Sequence, residues 1–418
     1  MARNASNACP RGSGLSICSG KGLTTLVYNK NPTTCEQSLP REHRSLAAAG
    51  VPDYDSCMVK RVCYIHIGPH KTGTTSIQWF LKENRLDLLK YGYFVPESRA
   101  RHGAHHVLAR KLCGQELRAH QQSAAVDFAR ALDETTFEAV IVSSEALGGL
   151  LRFRDYAREF FSRIRELSLE PKLVLFARNP SQRINSAYSS VVKTFRRSEP
   201  FEAFVQGVTQ GFVFKYSPFI ELADAHDAEL IAPPFTRKTM VQGVVPEFLQ
   251  AIGLDQSQFR DTNVRRNEAA GPFTVGVARG VLRSIDGAGK QIKWLQAVRC
   301  KTRLTEYLEE NRLADTGYCG LTTAVARQIE GELRPDNDAF AQRIWGKLWA
   351  EVFADDIRQE FTPNDFDMCP PDESTGRRLR QAVREMIPIV EEVLRDPALA
   401  VDAPWNDFLE RAGWTPRA

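Results

Sequence analysis

At 418 residues the chain is too long for one average domain and short for three, at roughly 150 residues per domain. Its 43% hydrophobic and 25% charged composition excludes a wholly disordered or collagen-like chain. Lys and Arg number 55 against 51 Asp and Glu, a net charge of +4. That is too slight to mark a nucleic-acid binder, so any basic site has to be a local cluster.

No window holds the ~18 uninterrupted apolar residues of a membrane helix, and the first residues lack the apolar core of a secretory signal. The expectation is a cytoplasmic protein with no integral membrane segment. Its nine cysteines include no CxxC pair and no cysteine–histidine spacing suited to zinc, so reduced thiols and no metal are expected.

Residues 1–59 carry scattered Gly, Pro, Ser, Thr and Asn without apolar periodicity, which reads as a disordered leader. Met58 stands just before the first convincing strand, so the leader is also a candidate for a segment that is not natively translated. From residue 61 the pattern turns regular. Apolar runs at 61–68, 137–143, 172–177 and 227–232 read as buried strands, and helical periodicity occupies 77–89, 119–132, 156–167, 180–193 and 241–252. Continuous apolar strands alternating with helices predict a parallel sheet covered on both faces, with ligands beyond the carboxyl ends of its strands. After about residue 271 the strand signal fades. Helical stretches at 340–353 and 377–394 predict a helical C-terminal region, 271–418, that shapes a cleft on an α/β core of 60–270.

The first strand runs into Gly68-Pro69-His70-Lys71-Thr72-Gly73-Thr74-Thr75-Ser76. Glycines turn backbone amides inward, and the following helix adds its positive end, so the loop suits an anion. A Walker A loop has lysine directly after the second glycine. Here Thr74 holds that place and Lys71 precedes Gly73 by two residues, so the lysine is set to cover a shorter anion nearer the loop entrance. A turn that merely caps a helix is the bland alternative.

The third strand runs into Arg178-Asn179-Pro180-Ser181-Gln182-Arg183-Ile184-Asn185-Ser186-Ala187-Tyr188. Pro180 suits the first turn of a helix, Arg178 offers a planar fork for phosphate, and Ser186 adds a hydroxyl two turns on. Two anion-competent loops at the tips of one sheet point to one ligand with phosphates at both ends.

These residues resemble a family. The loop from Gly68 to Ser76 is similar to the 5′-phosphosulfate loop of sulfotransferases, and Arg178 to Tyr188 to their 3′-phosphate motif, RxPxxRxxSxY. The resemblance spans residues 61–267, about half the chain. It implies a P-loop-NTPase-like parallel sheet flanked by helices. It also implies the donor 3′-phosphoadenosine 5′-phosphosulfate (PAPS), the product 3′,5′-adenosine bisphosphate, and sulfuryl transfer to a hydroxyl or amine without a metal. By matching position, Lys71, Thr74 and Thr75 hold the 5′-phosphosulfate, and Arg178 and Ser186 the 3′-phosphate. Arg265 and Arg266 resemble, more loosely, a basic loop that closes on that phosphate. The RKG-containing loop of cytosolic steroid- and phenol-type enzymes is missing, which turns the resemblance toward bacterial or Golgi-type carbohydrate sulfotransferases. The expected partner is a glycan, glycolipid or other hydroxyl-bearing acceptor.

An acceptor hydroxyl needs a base. Glu145 follows the second strand through Ser143 and Ser144 and is the first candidate, with a Walker-B-like or helix-capping acid as the alternative. His105 and His106 come next, since histidine titrates near neutrality, and His70 flanks Lys71. Arg152-Phe153-Arg154 and Phe195-Arg196-Arg197 read as solvated helix surface or as a grip on an anionic acceptor. A P-loop kinase or NTPase with a displaced lysine is the first competing function, and a catalytically silent nucleotide-binding or interaction protein the second.

Overall fold

The computed structural model describes residues 61–117, 119–260, 262 and 269–400; the expected leader, Arg265 and Arg266 lie outside the described residues. Strand β1 (Arg61–Gly68) is the centre of a sheet. Around it lie β2 (Tyr93–Phe94), β3 (Ala139–Ser143), β4 (Leu169–Leu175) and β6 (Glu229–Ile231), in the order β2-β3-β1-β4-β6. Every pairing is parallel, with His66 opposite Ser143 on one side and Val174 on the other. A small ribbon joins β5 (Ala177–Arg178) to β7 (Pro234–Phe235), placing Arg178 opposite Phe235.

Both faces of the sheet are covered, which is why its central strands are apolar throughout. On one face Cys63, Ile65 and Ile67 of β1 meet Leu108, Ala109 and Leu112 of α2 (His106–Leu112) and Phe160, Phe161 and Ile164 of α4 (Arg154–Glu166). Helix α3 (Ala119–Glu134) lies between these two in sequence. On the other face Ile141, Val174 and Phe176 meet Ile77, Phe80 and Leu81 of α1 (Thr74–Glu83) and Phe248 of α6 (Val244–Ala251). Each aliphatic side chain buried this completely stabilises the fold by roughly 1.5–3 kcal/mol.

A third core forms around α5 (Pro180–Lys193). Ile184, Ala187, Tyr188 and Val191 pack with α7 (Pro272–Gly287), α8 (Trp294–Glu310), α9 (Thr323–Trp345) and α10 (Glu373–Arg395). The P-loop-NTPase-like parallel sheet flanked by helices, with a helical C-terminal region, is therefore the fold observed. Several details depart from expectation: the helix read over 77–89 breaks at Asn84, and the one read over 241–252 begins only after Gly243. The strand read over 227–232 is shorter and is followed by β7, and the helix read over 340–353 breaks at Gly346, whose φ of 65° ends α9. A left-handed glycine is the usual stop for a helix. Among the described residues no helix is long and apolar enough to cross a membrane.

Candidate functional site

The loop after β1 is shaped by three left-handed residues, Gly68 (φ 92°), Lys71 (φ 73°) and Gly73 (φ 78°). Such alternation curls the chain into an anion-binding concavity. The Thr72 hydroxyl donates to the Pro69 carbonyl at 2.6 Å, closing the turn, and the Thr74 hydroxyl reaches the same oxygen at 3.5 Å. Glycine is required twice at position 73: besides its φ, a Cβ there would lie 2.7 Å from Val244 Cγ1. At Gly68 a Cβ would stand 3.4 Å from that of Glu145, so the first glycine lets the loop lie against the carboxylate-bearing segment. Helix α1 starts at Thr74 with Thr75 and Ser76 in its first turn, where amides lack intrahelical acceptors.

The second loop meets the first directly. Arg178 Nη1 donates to the Lys71 carbonyl at 2.7 Å, and its guanidinium lies 5.4 Å from the Phe235 ring centroid. The backbone of Arg178 is clamped by Tyr216, whose hydroxyl accepts from the Arg178 amide and donates to its carbonyl, both at 2.9 Å. Asn179 caps α5 by accepting from Ser181 N at 3.0 Å and Oγ at 2.8 Å, and Pro180 occupies the first turn. Ser186 is half-buried one turn beyond Arg183.

Arg183 was given no role in the sequence reading. It is 3% exposed and stands 4.8 Å from the Phe214 centroid and 5.3 Å from that of Tyr216. It donates to the His70 carbonyl at 3.4 Å and to Val213 O at 3.0 Å. The signal for it was the second arginine of the RxPxxR pattern.

Among the described residues neither Lys71, Arg178 nor Arg183 has a carboxylate oxygen within 4.0 Å. Arg178 Nε and Arg183 Nη1 are buried donors without a hydrogen-bond partner. Burial, then the charge of Lys193, pushes the Lys71 ammonium down to about 7, and burial pushes Arg178 down to about 10. Glu145 acts on Lys71 and Asp356 on Arg178 only at a distance, and clustered cations without a directly bonded counter-ion are destabilising unless an anion joins them.

Glu145 borders this cluster. Ser144 N donates to His66 O at 2.9 Å, extending the β1–β3 pairing by one residue and setting Glu145 beside the loop. Its Oε2 is 3.3 Å from His70 Nδ1. Burial by itself raises the Glu145 carboxyl, but His70, which also hydrogen-bonds to it, and Lys71 hold it well below the usual carboxylate range.

The histidines divide by their partners. His105 is 2% exposed; its Nδ1 accepts from the Ser143 amide and its Nε2 donates to Pro96 O, both at 2.9 Å. Both ring nitrogens are thus committed to the backbone. His106 Nδ1 is 2.9 Å from Ser144 Oγ, and His66 Nδ1 is 2.8 Å from Ser143 Oγ. Burial pushes all three down to about 4, so they are neutral at pH 7.

The structure thus brings Gly68, His70, Lys71, Thr72, Gly73, Thr74, Glu145 and Arg178 together and turns His105 toward the backbone. Of the two basic–aromatic patches, Arg152 is held by the carbonyls of Gly148, Phe212 and Lys215, and Arg197 pairs with Glu199 at 2.9 Å. Chemically, the site can hold a polyanion at two tips and offers an ionised carboxylate at the β3 tip, on the side of the β1 loop away from Arg178.

No protein-family profile matches the chain, and no curated protein matches it. Among solved structures the chain is similar to the crystal structure of a sulfotransferase from Alicyclobacillus acidocaldarius, at 16% identity over 50% of this chain and 87% of that chain, with a TM-score of 0.33.

Proposed function

We propose that the protein is a PAPS-dependent sulfotransferase that moves a sulfuryl group to a hydroxyl or amine of a carbohydrate-type acceptor. The observation that carries this reading is the meeting of Lys71, Arg178 and Arg183, none with a carboxylate oxygen within 4.0 Å among the described residues, beside the ionised Glu145. The orphaned donors Arg178 Nε and Arg183 Nη1 fit a doubly charged nucleotide, and the positive φ of Gly68, Lys71 and Gly73 gives the loop the curled backbone of an anion-binding turn.

Bound PAPS would supply an activated sulfuryl group with a nucleotide phosphate as leaving group. Lys71 and the loop 68–76 hold the phosphosulfate end, while Arg178 and Ser186 hold the 3′-phosphate, with Arg265 and Arg266 added on that side. Lys71, once protonated, neutralises charge that develops on the leaving oxygen. Glu145 accepts the proton of the acceptor group, oriented by its contact with His70. The helical region 271–418 borders the cleft that receives the acceptor.

Calorimetry with 3′,5′-adenosine bisphosphate in chelator, alongside radiolabelled transfer from PAPS to a glycan panel, tests the reading. Tight metal-independent binding and Lys71-dependent transfer are expected. Magnesium-dependent ATP turnover without bisphosphate binding would instead establish the kinase or NTPase alternative.

A further inference from the structure

Helix α5 carries more positive charge than the nucleotide accounts for. Arg183, Ser186, Ser190 and Lys193 are three, four and three residues apart, a spacing that puts them on one face. The opposite face, Ile184, Ala187, Tyr188 and Val191, is buried in the helical core. The polar stripe begins where Arg183 reaches the His70 carbonyl and runs about 15 Å to Lys193 at 1.5 Å per residue. Lys193 and Arg196 are half-buried, and Lys301 is exposed on α8, next to Cys300, which shares a core with Val191 and Val192.

Among the described residues Lys193, Arg196 and Lys301 lack a carboxylate within 4.0 Å, whereas Arg197 has Glu199. The lysines feel one another: burial and then Lys301 lower the Lys193 ammonium, and both lysines act on Lys71. In the donor reading, Lys71, Arg178, Arg183 and Ser186 suffice for the two charged ends of the nucleotide. Lys193, Arg196 and Lys301 are surplus to it.

We infer that the polar face of α5 from Ser190 to Lys193, with Lys301 beyond it, is the acceptor subsite and that it selects an anionic oligosaccharide, bearing carboxylate or sulfate, over a neutral one. This rests on the sulfotransferase reading. Hydrogen bonds from ammonium groups to fixed anions supply the preference, and mutual repulsion among the lysines rejects cationic acceptors.

The test uses the full chain saturated with 3′,5′-adenosine bisphosphate and three fluorescent hexasaccharides: a polyuronate, a sulfated neutral sugar, and the carboxyl-reduced form of the first. The two anionic probes should bind with affinity that falls as salt rises, and the neutral one about tenfold more weakly or worse. Lys193→Gln and Lys301→Gln should each weaken the anionic probes about 3- to 10-fold, with Lys193→Arg restoring binding and bisphosphate affinity changing much less than anionic-probe affinity in all three. Binding of only one anionic probe tells carboxylate from sulfate recognition and supports the inference. Equal binding of the neutral probe, or variants that bind as the parent does, would overturn it. A parallel loss of bisphosphate affinity in Lys193→Gln would also overturn it, by moving that lysine to the donor site. If the parent chain does not bind bisphosphate at all, the sulfotransferase reading itself fails, which is a separate result.

Discussion

Arg178 Nη1 and the Lys71 carbonyl are 2.7 Å apart, so residues 107 positions apart in sequence lock the tips of β1 and β5 together. The guanidinium is held there with one N–H still unpartnered, and a phosphate can take it up without rearranging the loop. Arg178→Ala should weaken 3′,5′-adenosine bisphosphate by about 2–5 kcal/mol, the scale for removing one member of a buried charge pair. Adenosine 5′-monophosphate, which has no 3′-phosphate, should lose far less. Calorimetric titration of both nucleotides decides it, and a variant that keeps the wild-type preference would remove Arg178 from the 3′-phosphate.

Lys71 sets a proton-linked signal for anion binding. Burial lowers its ammonium to about 7 from an ordinary 10.5, so in the free protein at pH 8 it is largely neutral. The unfolded chain then holds more protons between pH 7 and 10.5, and this group makes stability rise with pH across that window. A phosphate beside it restores the charged form, so bisphosphate binding at pH 8 should take up to about one proton per site. Titrations in buffers of different ionisation enthalpy should show that uptake in the parent chain and not in Lys71→Met, which should also lose nearly all transfer activity.

Much of this site is legible in the chain itself, because its pieces are local. Strand β1, the loop through Gly73 and the start of α1 are contiguous, and Pro180 marks the start of α5 at the residue where it occurs. What escapes sequence reading is the long-range part. Arg183 gains its meaning from the His70 carbonyl 113 residues earlier, and β2 is two residues long and recognisable only through its pairing with β3. His105 reads as a free histidine until Ser143 N and Pro96 O are seen to occupy its ring. Unpaired cations are likewise invisible beforehand, since a sequence shows charges but not which of them lack partners.

Glu145 is held ionised by His70 and Lys71, so it is ready to accept a proton but is a weak base in the free protein. Glu145→Gln preserves shape while removing the acceptor, and should lower kcat by about 10²–10⁴-fold. Bisphosphate affinity should hold or rise, because a negative charge beside the anion loop has gone. Loss of donor affinity with kcat intact would assign Glu145 to holding the loop rather than to proton transfer.

The buried histidines make the fold sensitive to mild acid. His66, His105 and His106 lie near 4 through burial, against an ordinary 6.5. Between those values the unfolded chain binds more protons than the folded one, so stability falls as pH drops from 6.5 to 4. Thermal unfolding followed across this range should show a steady fall in Tm, shallower in His66→Asn, which cannot titrate. A flat profile in the parent chain would mean that these rings are solvated rather than enclosed.

The helical region is fastened to α5 by one buried ionic network. Arg279 on α7 holds Asp365 with two bonds, Nη2 to Oδ1 at 2.6 Å and Nη1 to Oδ2 at 2.9 Å, with side chains 2% and 0% exposed. Nη1 also donates to the Tyr188 hydroxyl at 2.8 Å, and Tyr318 donates to Asp365 Oδ2 at 2.6 Å. Asp365→Ala strips the two-bond partner from a buried guanidinium, leaving it Asp367 at 3.1 Å, and deprives the Tyr318 phenol of its acceptor, so it should destabilise the protein by about 3–5 kcal/mol in chemical denaturation. The paired change Arg279→Met with Asp365→Leu removes both charges, so it should recover most of that loss. Because Tyr188 sits half a turn from Ser186 on α5, the single variant should also raise the KM for PAPS more than it lowers kcat, whereas the double variant, with the helix repacked, should bring KM back toward the parent value.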